Sequence, residues 1–454
     1  MRLAILGGGG FRVPLIYSAL LAPERAGLID ELVLHDSSAE RLDVIRAVLA
    51  GIGSPEGGPG RPALRCNGPT LRFVTDLDAA VHDADFVFSA IRVGGLAGRV
   101  DDENVALRLG VLGQETTGPG GIAYGLRTVP VALDIAERVA RLAPHAYVVN
   151  FTNPAGMITE AMQRVLGSRV IGICDTPSGL VRRISAVLGA GPGTVSIDYV
   201  GLNHLGWLRG VTHTGRDLVA DLLADDAALD RIEEGRVFGA DWLRTLGAIP
   251  NEYLYYYYFT REAVRSILAQ GHTRGEFLRE QQSAFYARVR REPQAAAALW
   301  REVRDEREAT YMTEARAEGD ERPDLSGGGY EREALDLMQA IATDRAGTMI
   351  LNVANGSVLP GLPPQAVIEV PCQVDGAGAH ALPVSPPSGD QIGLMQQMKA
   401  VEQLTIDAAV QARPELAFKA LALHPLVDSV TVARQLLAGY RQGTPSLFSN
   451  PRTD

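Results

Sequence analysis

Short apolar runs alternate with amphipathic stretches along the first 195 residues. Residues 1–6 are apolar and run into Gly7-Gly8-Gly9-Gly10, after which residues 14–21 carry helical spacing, a strand–turn–helix pattern. Residues 31–35 read as a second strand ending at Asp36, followed by a helix over 39–49 and a Gly/Pro-rich loop over 51–60. Further strands are expected at 71–74, 85–90, 146–149 and 170–173, with helices over 76–81, over 128–142 and after Asn153-Pro154. This alternation predicts an α/β fold with a doubly wound parallel sheet. Beyond residue 195 the pattern changes. Segments 195–200 and 205–211 are strand-like, and helical spacing then dominates over 241–246, 264–268, 277–291, 295–317, 391–410 and 414–423. The Ala/Arg/Glu-rich stretch 295–317 reads as one exposed helix and 320–329 as a surface loop. The expected division is a Rossmann-like dinucleotide-binding domain over 1–195 and an α+β substrate, metal and oligomerisation domain over 196–454.

A chain of 454 residues, 46% hydrophobic and 21% charged, can bury a large core. The net charge of -11 argues against a nucleic-acid binder. It leaves room for a local arginine cluster to take an anionic substrate. Three cysteines, Cys66, Cys174 and Cys372, are too few for a disulfide framework and fit a reducing cytoplasm. Glycines interrupt the apolar N-terminus, so it reads as strand and turn rather than a signal peptide. No apolar run reaches the ~18 residues that a membrane span needs, and none is expected.

A glycine turn between strand and helix lets the backbone approach a pyrophosphate, and the helix N-terminus offers N–H donors. The turn here is Gly7-Gly8-Gly9-Gly10-Phe11-Arg12, with Arg12 at the place of the third glycine of the usual pattern. Asp36, closing the second strand, suits ribose hydroxyls and would repel a 2′-phosphate, which favours NAD over NADP. The same residues also suit a turn with a helix-capping aspartate. Cys174 at a strand end and His204 after a strand of the next segment could leave open positions on a divalent ion. Each alone equally suits a packing cysteine or a hydrogen-bonded structural histidine. A dinucleotide and a metal in one cleft would narrow the chemistry to oxidising a hydroxyl held on a cation.

Several segments together resemble glycoside hydrolase family 4. They are Arg92-Val93-Gly94-Gly95, Gly113-Gln114-Glu115-Thr116-Thr117-Gly118-Pro119-Gly120-Gly121, Asn150-Phe151-Thr152-Asn153-Pro154-Ala155 and Ile173-Cys174-Asp175-Thr176-Pro177. Gly201-Leu202-Asn203-His204-Leu205-Gly206-Trp207, Ile249-Pro250-Asn251-Glu252-Tyr253-Leu254, Asn352-Val353-Ala354-Asn355-Gly356 and Val367-Ile368-Glu369-Val370-Pro371 continue it over nearly the whole chain. The resemblance implies a lactate/malate dehydrogenase-like architecture, NAD⁺, a divalent metal (usually Mn²⁺), and homodimers or homotetramers. It implies cleavage by C3 oxidation, elimination across C1–C2, water addition and re-reduction.

Carried over by position, Cys174 and His204 match the metal ligands and Tyr253 the base at C2. Asp175 matches an acid of the alpha-acting phosphoglucosidase branch, and Arg92, Asn153, Asn203 and Arg274 match substrate-binding positions. The tyrosine run 253–258 is closer to the beta-acting branch, whereas Gly10 and Val13 depart from the family's usual serine and threonine. The expected protein is a cytoplasmic 6-phospho-beta-glucosidase acting on a small phosphorylated glycoside. A 6-phospho-alpha-glucosidase, an alpha-galactosidase or glucuronidase of the same family, and a plain NAD-dependent hydroxyacid or sugar dehydrogenase are the alternatives.

Overall fold

The structure, a computed structural model, describes residues 1–53, 68–190, 195–315 and 329–448. Its strands are β1 (Arg2–Leu6), β2 (Glu31–His35), β3 (Thr70–Val74), β4 (Phe86–Ser89), β5 (Tyr147–Asn150), β6 (Val170–Gly172), β7 (Val195–Leu202), β8 (Leu205–His213), β9 (Arg216–Asp217), β10 (Ile249–Pro250), β11 (Gly347–Ala354), β12 (Val367–Asp375) and β13 (Gly378–Ala381). All belong to one sheet, in the order β10-β8-β7-β12-β11-β6-β5-β4-β1-β2-β3, with β13 beside β12 and β9 beside β8.

Strands β1 to β6 are parallel, in the doubly wound order 3-2-1-4-5-6. Their sequences dictate this. Leu3, Ala4, Ile5 and Leu6 are all fully buried, as continuous apolar strands must be when helices cover both faces. One face is covered by Val13–Leu20, Ala39–Gly53 and Tyr330–Thr343, and the other by Pro119–Leu142 and Ala155–Leu166. The order reverses between β1 and β4, which opens a crevice at the carboxyl ends of these strands. Gly7, Ile91, Asn153 and Cys174 all emerge there.

The second half of the sheet is antiparallel and continuous with the first. Asn352 of β11 pairs with Gly172 of β6, and Glu369 of β12 pairs with Gly201 of β7. The expected doubly wound sheet is therefore present, extended by an antiparallel wing that sequence periodicity had only begun to show at β7 and β8.

Two expectations need correction, and a third lies mostly outside the described residues. The helix from Ala39 runs to Gly53, into the stretch read as a loop, and the remainder of that stretch, with Cys66, lies outside the described residues. The helix expected over 295–317 is Ala296–Ala309, and it is not exposed all round. Ala296, Ala297, Leu299 and Trp300 are buried, and Trp300 packs with Phe11 and Val44. Of the loop expected over 320–329, only Gly329 is described. Strands β11 to β13 and the helices Gly95–Leu107, Tyr330–Thr343 and Val430–Gly443 were not anticipated. Among the described residues, no helix is long and apolar enough to cross a membrane.

Candidate active site

The four-glycine turn is a matter of space. Gly7 has φ +88°, and a Cβ there would lie 2.6 Å from the Ala90 carbonyl oxygen. A Cβ on Gly8 would lie 2.7 Å from the His35 nitrogen. Both amides donate to His35 O, at 2.9 and 2.6 Å, and Gly10 N closes the turn on Gly7 O at 2.8 Å. The helix Val13–Leu20 follows with no side-chain cap, so its N-terminal end is free of internal anions. Asp36 accepts from Gly9 N (3.1 Å) and Ser38 N (3.0 Å), which fixes the carboxylate while leaving lone pairs on both oxygens.

The far side of the turn is clamped by the second half of the chain. Tyr286 donates to Gly9 O at 2.7 Å, Trp300 Nε1 donates to Phe11 O at 2.8 Å, and Phe285 meets the Phe11 ring edge-on at 5.2 Å. Phe11 thus spends its side chain on anchoring.

A cleft of about 1610 Å³ opens at the carboxyl ends of the parallel strands. Gly7, Gly10, Phe11, Arg12 and Asp36 line it, whereas Gly8 and Gly9 stand behind the turn. Cys174, Asp175, His204 and Tyr253 also line it, as do Arg92, Asn153, Asn203 and Arg274. Residues far apart in sequence therefore share one space.

Cys174 follows β6 and caps the helix Asp175–Val187. His204 belongs to the two-residue connection Asn203-His204 between β7 and β8, where Leu202 pairs with Leu205. Its φ of +63° lies in the left-handed region, an uncommon and strained choice for a non-glycine residue. Burial pushes His204 down to about 4, so the ring is neutral near pH 7.

The surrounding hydrogen bonds then choose its tautomer. Gln114 Oε1 accepts from the amides of Thr116 (2.6 Å) and Thr117 (2.7 Å), which identifies that atom as oxygen. The Thr116 hydroxyl donates to the same oxygen at 3.3 Å, so at 3.0 Å it must accept from His204 Nδ1–H. The lone pair on Nε2 is left available.

The Tyr253 ring lies flat on His204, centroids 3.7 Å apart and planes 5° apart. Its hydroxyl is 2.8 Å from that of Tyr311, which donates to Glu252 at 3.0 Å. Burial, reinforced by Glu252, pushes Tyr253 well up. Burial, then Glu369 and Asp175, likewise raises the Cys174 thiol. Both groups need a nearby cation to ionise. A thiolate and an imidazole are the donor types a divalent transition ion takes. Among the described residues no group of three or more His, Cys, Asp or Glu gathers to hold an ion. The pair fits a metal whose remaining positions are filled by oxygens of a bound ligand.

Asn203 is held by Glu369 (3.3 Å), which also accepts from Asn352 (2.9 Å) and Tyr199 (2.8 Å). Burial pushes this carboxyl up to about 7.

The arginines divide into two sets. Arg92 and Arg99 both pair with Glu115, and Arg99 also with Glu103 at 2.7 Å. Burial would raise Glu115, yet Arg92 and Arg99 outweigh it and hold the carboxyl at about 2. Arg92, expected from sequence to meet a ligand, pairs with Glu115 through Nη2 and keeps a buried Nη1 without a hydrogen-bond partner. Arg274 donates instead to neutral oxygens, Thr310 O (3.0 Å), Thr310 Oγ1 (2.8 Å) and Arg307 O (2.8 Å). Asn153 Oδ1 is buried without a hydrogen-bond partner, a free acceptor at the cleft.

The sequence reading gave no role to Gln114, Thr116, Tyr311 or Glu115. The polar run 113–117 immediately before the helix Pro119–Leu142 was the available signal for three of them. Tyr311 sat in a stretch read as exposed helix.

The sequence profile of family 4 glycosyl hydrolases matches residues 2–190, and that of the family 4 glycosyl hydrolase C-terminal domain matches residues 199–427. A probable 6-phospho-beta-glucosidase of Bacillus subtilis is 30% identical over 445 residues, covering 96% of this chain and 95% of the relative. A maltose-6'-phosphate glucosidase of the same organism is 31% identical over 457 residues, covering 96% and 94%. The crystal structure of the Thermotoga maritima 6-phospho-beta glucosidase with manganese, NAD⁺ and glucose-6-phosphate superposes with a TM-score of 0.80 at 27% identity, covering 98% of each chain. An Eimeria maxima lactate dehydrogenase shares the fold alone, with a TM-score of 0.51 at 13% identity over 90% of this chain and 96% of that one.

Proposed function

The chain belongs to the family 4 glycosyl hydrolases, and we propose that it hydrolyses 6-phosphorylated glucosides, beta-linked ones, with NAD⁺ and Mn²⁺ as cofactors. The observation that carries this is the stacking of Tyr253 on His204 in the cleft that Cys174 and the glycine turn also line. The Thermotoga enzyme, named for that substrate class and holding NAD⁺, manganese and glucose-6-phosphate, supports it. The relatives are named for both beta- and alpha-type substrates. Beta is favoured by the tyrosine run after Pro250.

Bound NAD⁺ would take the C3 hydride and return it, and a divalent ion held by Cys174 and His204 would polarise the C2 and C3 oxygens. The chain's own residues do the rest. Once C3 is a ketone, the C2 proton is acidic enough for the Tyr253 oxygen to remove it. The Asp175 carboxyl group, which makes no side-chain hydrogen bond or ion pair among the described residues, protonates the departing C1 oxygen. Asn153 and Asn203 hold the sugar, while Arg92 and Arg274 face its phosphate. The glycine turn and Asp36 hold the dinucleotide.

In this reading residues 1–195 carry the cofactor, and 196–454 supply the substrate wall and the contacts of a homodimer or homotetramer. Cys174 and Cys372 are free buried thiols, in keeping with a reducing cytoplasm.

Nitrophenyl glucosides, alpha and beta, with and without a 6-phosphate, provide the test. Cleavage of the 6-phospho-beta compound in the presence of NAD⁺ and Mn²⁺, with no NADH accumulating, is expected. Accumulating NADH without nitrophenol release would instead mark a plain dehydrogenase.

A further inference from the structure

Three side chains form a continuous hydrogen-bonded line that starts at the stacked phenol. The Tyr253 hydroxyl lies 2.8 Å from the Tyr311 hydroxyl, which donates to Glu252 Oε1 at 3.0 Å. A phenol carries one proton. Tyr311 directs its own to the carboxylate, so between the two phenols Tyr253 is the donor. The Tyr253 hydrogen therefore points at Tyr311, and its oxygen keeps lone-pair density for the cleft that all three residues line.

Local structure sets this line. Asn251 Oδ1 accepts from Tyr253 N at 3.0 Å and starts the short turn Glu252–Leu254, which puts a carboxylate next to a phenol. Arg274 holds Thr310 by its carbonyl (3.0 Å) and its hydroxyl (2.8 Å), and so fixes the chain where Tyr311 begins. Glu252 is 4% exposed and also accepts from Thr176 Oγ1 at 3.4 Å. Two hydroxyl donors on one oxygen suit an ionised carboxylate, which only accepts. Arg183 is close enough for the charge of Glu252 to act on it.

A phenol that takes a proton from carbon must give up its own. A cation beside Tyr253 eases the build-up of charge on the oxygen but offers that proton no destination. We propose that Tyr311 and Glu252 form a proton relay behind Tyr253, with Glu252 as the final acceptor. The inference rests on Tyr253 acting at C2 of a 6-phosphoglucoside. The C2–H bond breaks and its electron pair passes into the enolate of the C3 ketone. That pair then forms the C1=C2 bond as the C1–O bond leaves with its own pair and the proton of Asp175. Meanwhile the C2 proton goes to the Tyr253 oxygen, the Tyr253 proton to Tyr311, and the Tyr311 proton to Glu252. Tyr253 enters and leaves the step as a phenol. When water adds at C1, Asp175 takes its proton, and the line runs backwards to return a proton to C2. Tyr311 and Glu252 act through Tyr253 and touch no reacting atom.

Tyr311→Phe cuts the line and keeps the ring. Glu252→Gln keeps the size and an oxygen that accepts from Tyr311, but it cannot take up a proton. The test is steady-state turnover of nitrophenyl 6-phospho-beta-glucoside, plain and deuterated at C2, with NAD⁺ and Mn²⁺, alongside thermal melting of the ligand-free proteins. In both variants kcat should fall about 10- to 100-fold while KM stays within about twofold of wild type. The C2 isotope effect should be at least as large as in wild type. Melting should stay within about 3 °C, the cost of one hydrogen bond. Glu252→Ala should regain turnover when formate, a carboxylate small enough for the vacated place, is added. Wild-type kcat in either Tyr311→Phe or Glu252→Gln would reduce the line to a hydrogen-bonded anchor and overturn the proposal. Lost turnover with a markedly lowered melting temperature and no rescue by formate would mark a structural role and overturn it too. If wild type does not cleave the phosphoglycoside, the substrate reading falls and the relay with it. If wild type cleaves it and both variants match wild type, only the relay falls.

Discussion

The ring of Tyr253 lies 3.7 Å from the imidazole of His204, with the two planes 5° apart. This stack joins the connection between β7 and β8 to the short helical segment after β10, and it places a phenol beside an imidazole on the wall of the cleft. A neutral phenol is a poor base, and burial makes this one poorer. The pair becomes useful once a cation shares the site, because positive charge lowers the cost of the phenolate.

Tyr253→Phe should therefore preserve the stack and remove the base. The lost hydroxyl contact with Tyr311 costs about 1 kcal/mol of stability. Turnover should fall by about 10²- to 10⁴-fold. Exchange of the substrate C2 proton with solvent deuterium, followed by NMR, should stop in the variant. Exchange continuing at the wild-type rate would show that another group removes this proton.

Thr116 acts one step further back. Its hydroxyl holds His204 Nδ1 protonated, so Nε2 keeps a free lone pair for a metal ion. Thr116→Val keeps the shape and removes the acceptor. Mn²⁺ affinity should drop about 10- to 100-fold, the range seen when partners behind a metal-binding histidine are lost. Nitrogen-15 NMR of the metal-free protein should show the His204 ring leaving the Nδ1–H tautomer, and Thr116→Ser should restore it. An unchanged tautomer in Thr116→Val would mean that ring stacking alone sets the imidazole.

Metal removal offers a third check. Cys174 is a buried thiol raised by its surroundings, so it should bind a cation only by releasing a proton. Chelation should abolish turnover, and added Mn²⁺ with a reductant should restore it. Cys174→Ser should lose activity while melting near the wild-type temperature, since serine fills nearly the same volume. Full activity in excess chelator would eliminate the metal from the reaction.

How far these features were legible in the sequence depended on whether a local rule governed them. Residues 1–53 follow such rules: an apolar strand, glycines where a Cβ would collide, and Asp36 closing β2. Strands β11 and β12 were missed because β12 is buried almost throughout and gives no alternation to read. The segment around Cys174 and His204 was visible as two polar islands, but their sharing one cleft depends on β6, β11, β12 and β7 lying side by side. That order is long-range. The buried face of Ala296–Ala309 was hidden for another reason. Its helix is rich in arginine and glutamate, which reads as a solvated surface, yet the face bearing Leu299 and Trp300 packs against the glycine turn.

His424 provides a prediction about pH that can be worked out in sign and size. The ring is buried, and its Nδ1 accepts a hydrogen bond from Leu426 N at 3.0 Å. Burial lowers it from the ordinary 6.5 to about 3. Between these values the unfolded chain binds a proton at this site and the folded chain does not. The stabilisation is therefore complete above pH 6.5 and is lost as pH falls towards 3, at ~1.4 kcal/mol per unit. Other groups titrate over the same range. His204 adds a slope of the same sign, and Glu369, raised to about 7, opposes it. A comparison with His424→Asn cancels both. Asparagine Oδ1 can accept from the amide two residues on, as the imidazole does now, and it never ionises. Denaturant unfolding of the metal-free protein at pH 7 should show the variant less stable, because the smaller side chain leaves a gap beside Tyr257. From pH 6.5 to 5 the deficit should shrink by ~1.4 kcal/mol per unit, since the wild type alone loses stability at this site. A deficit constant with pH would show that His424 keeps an ordinary affinity for protons in the folded protein.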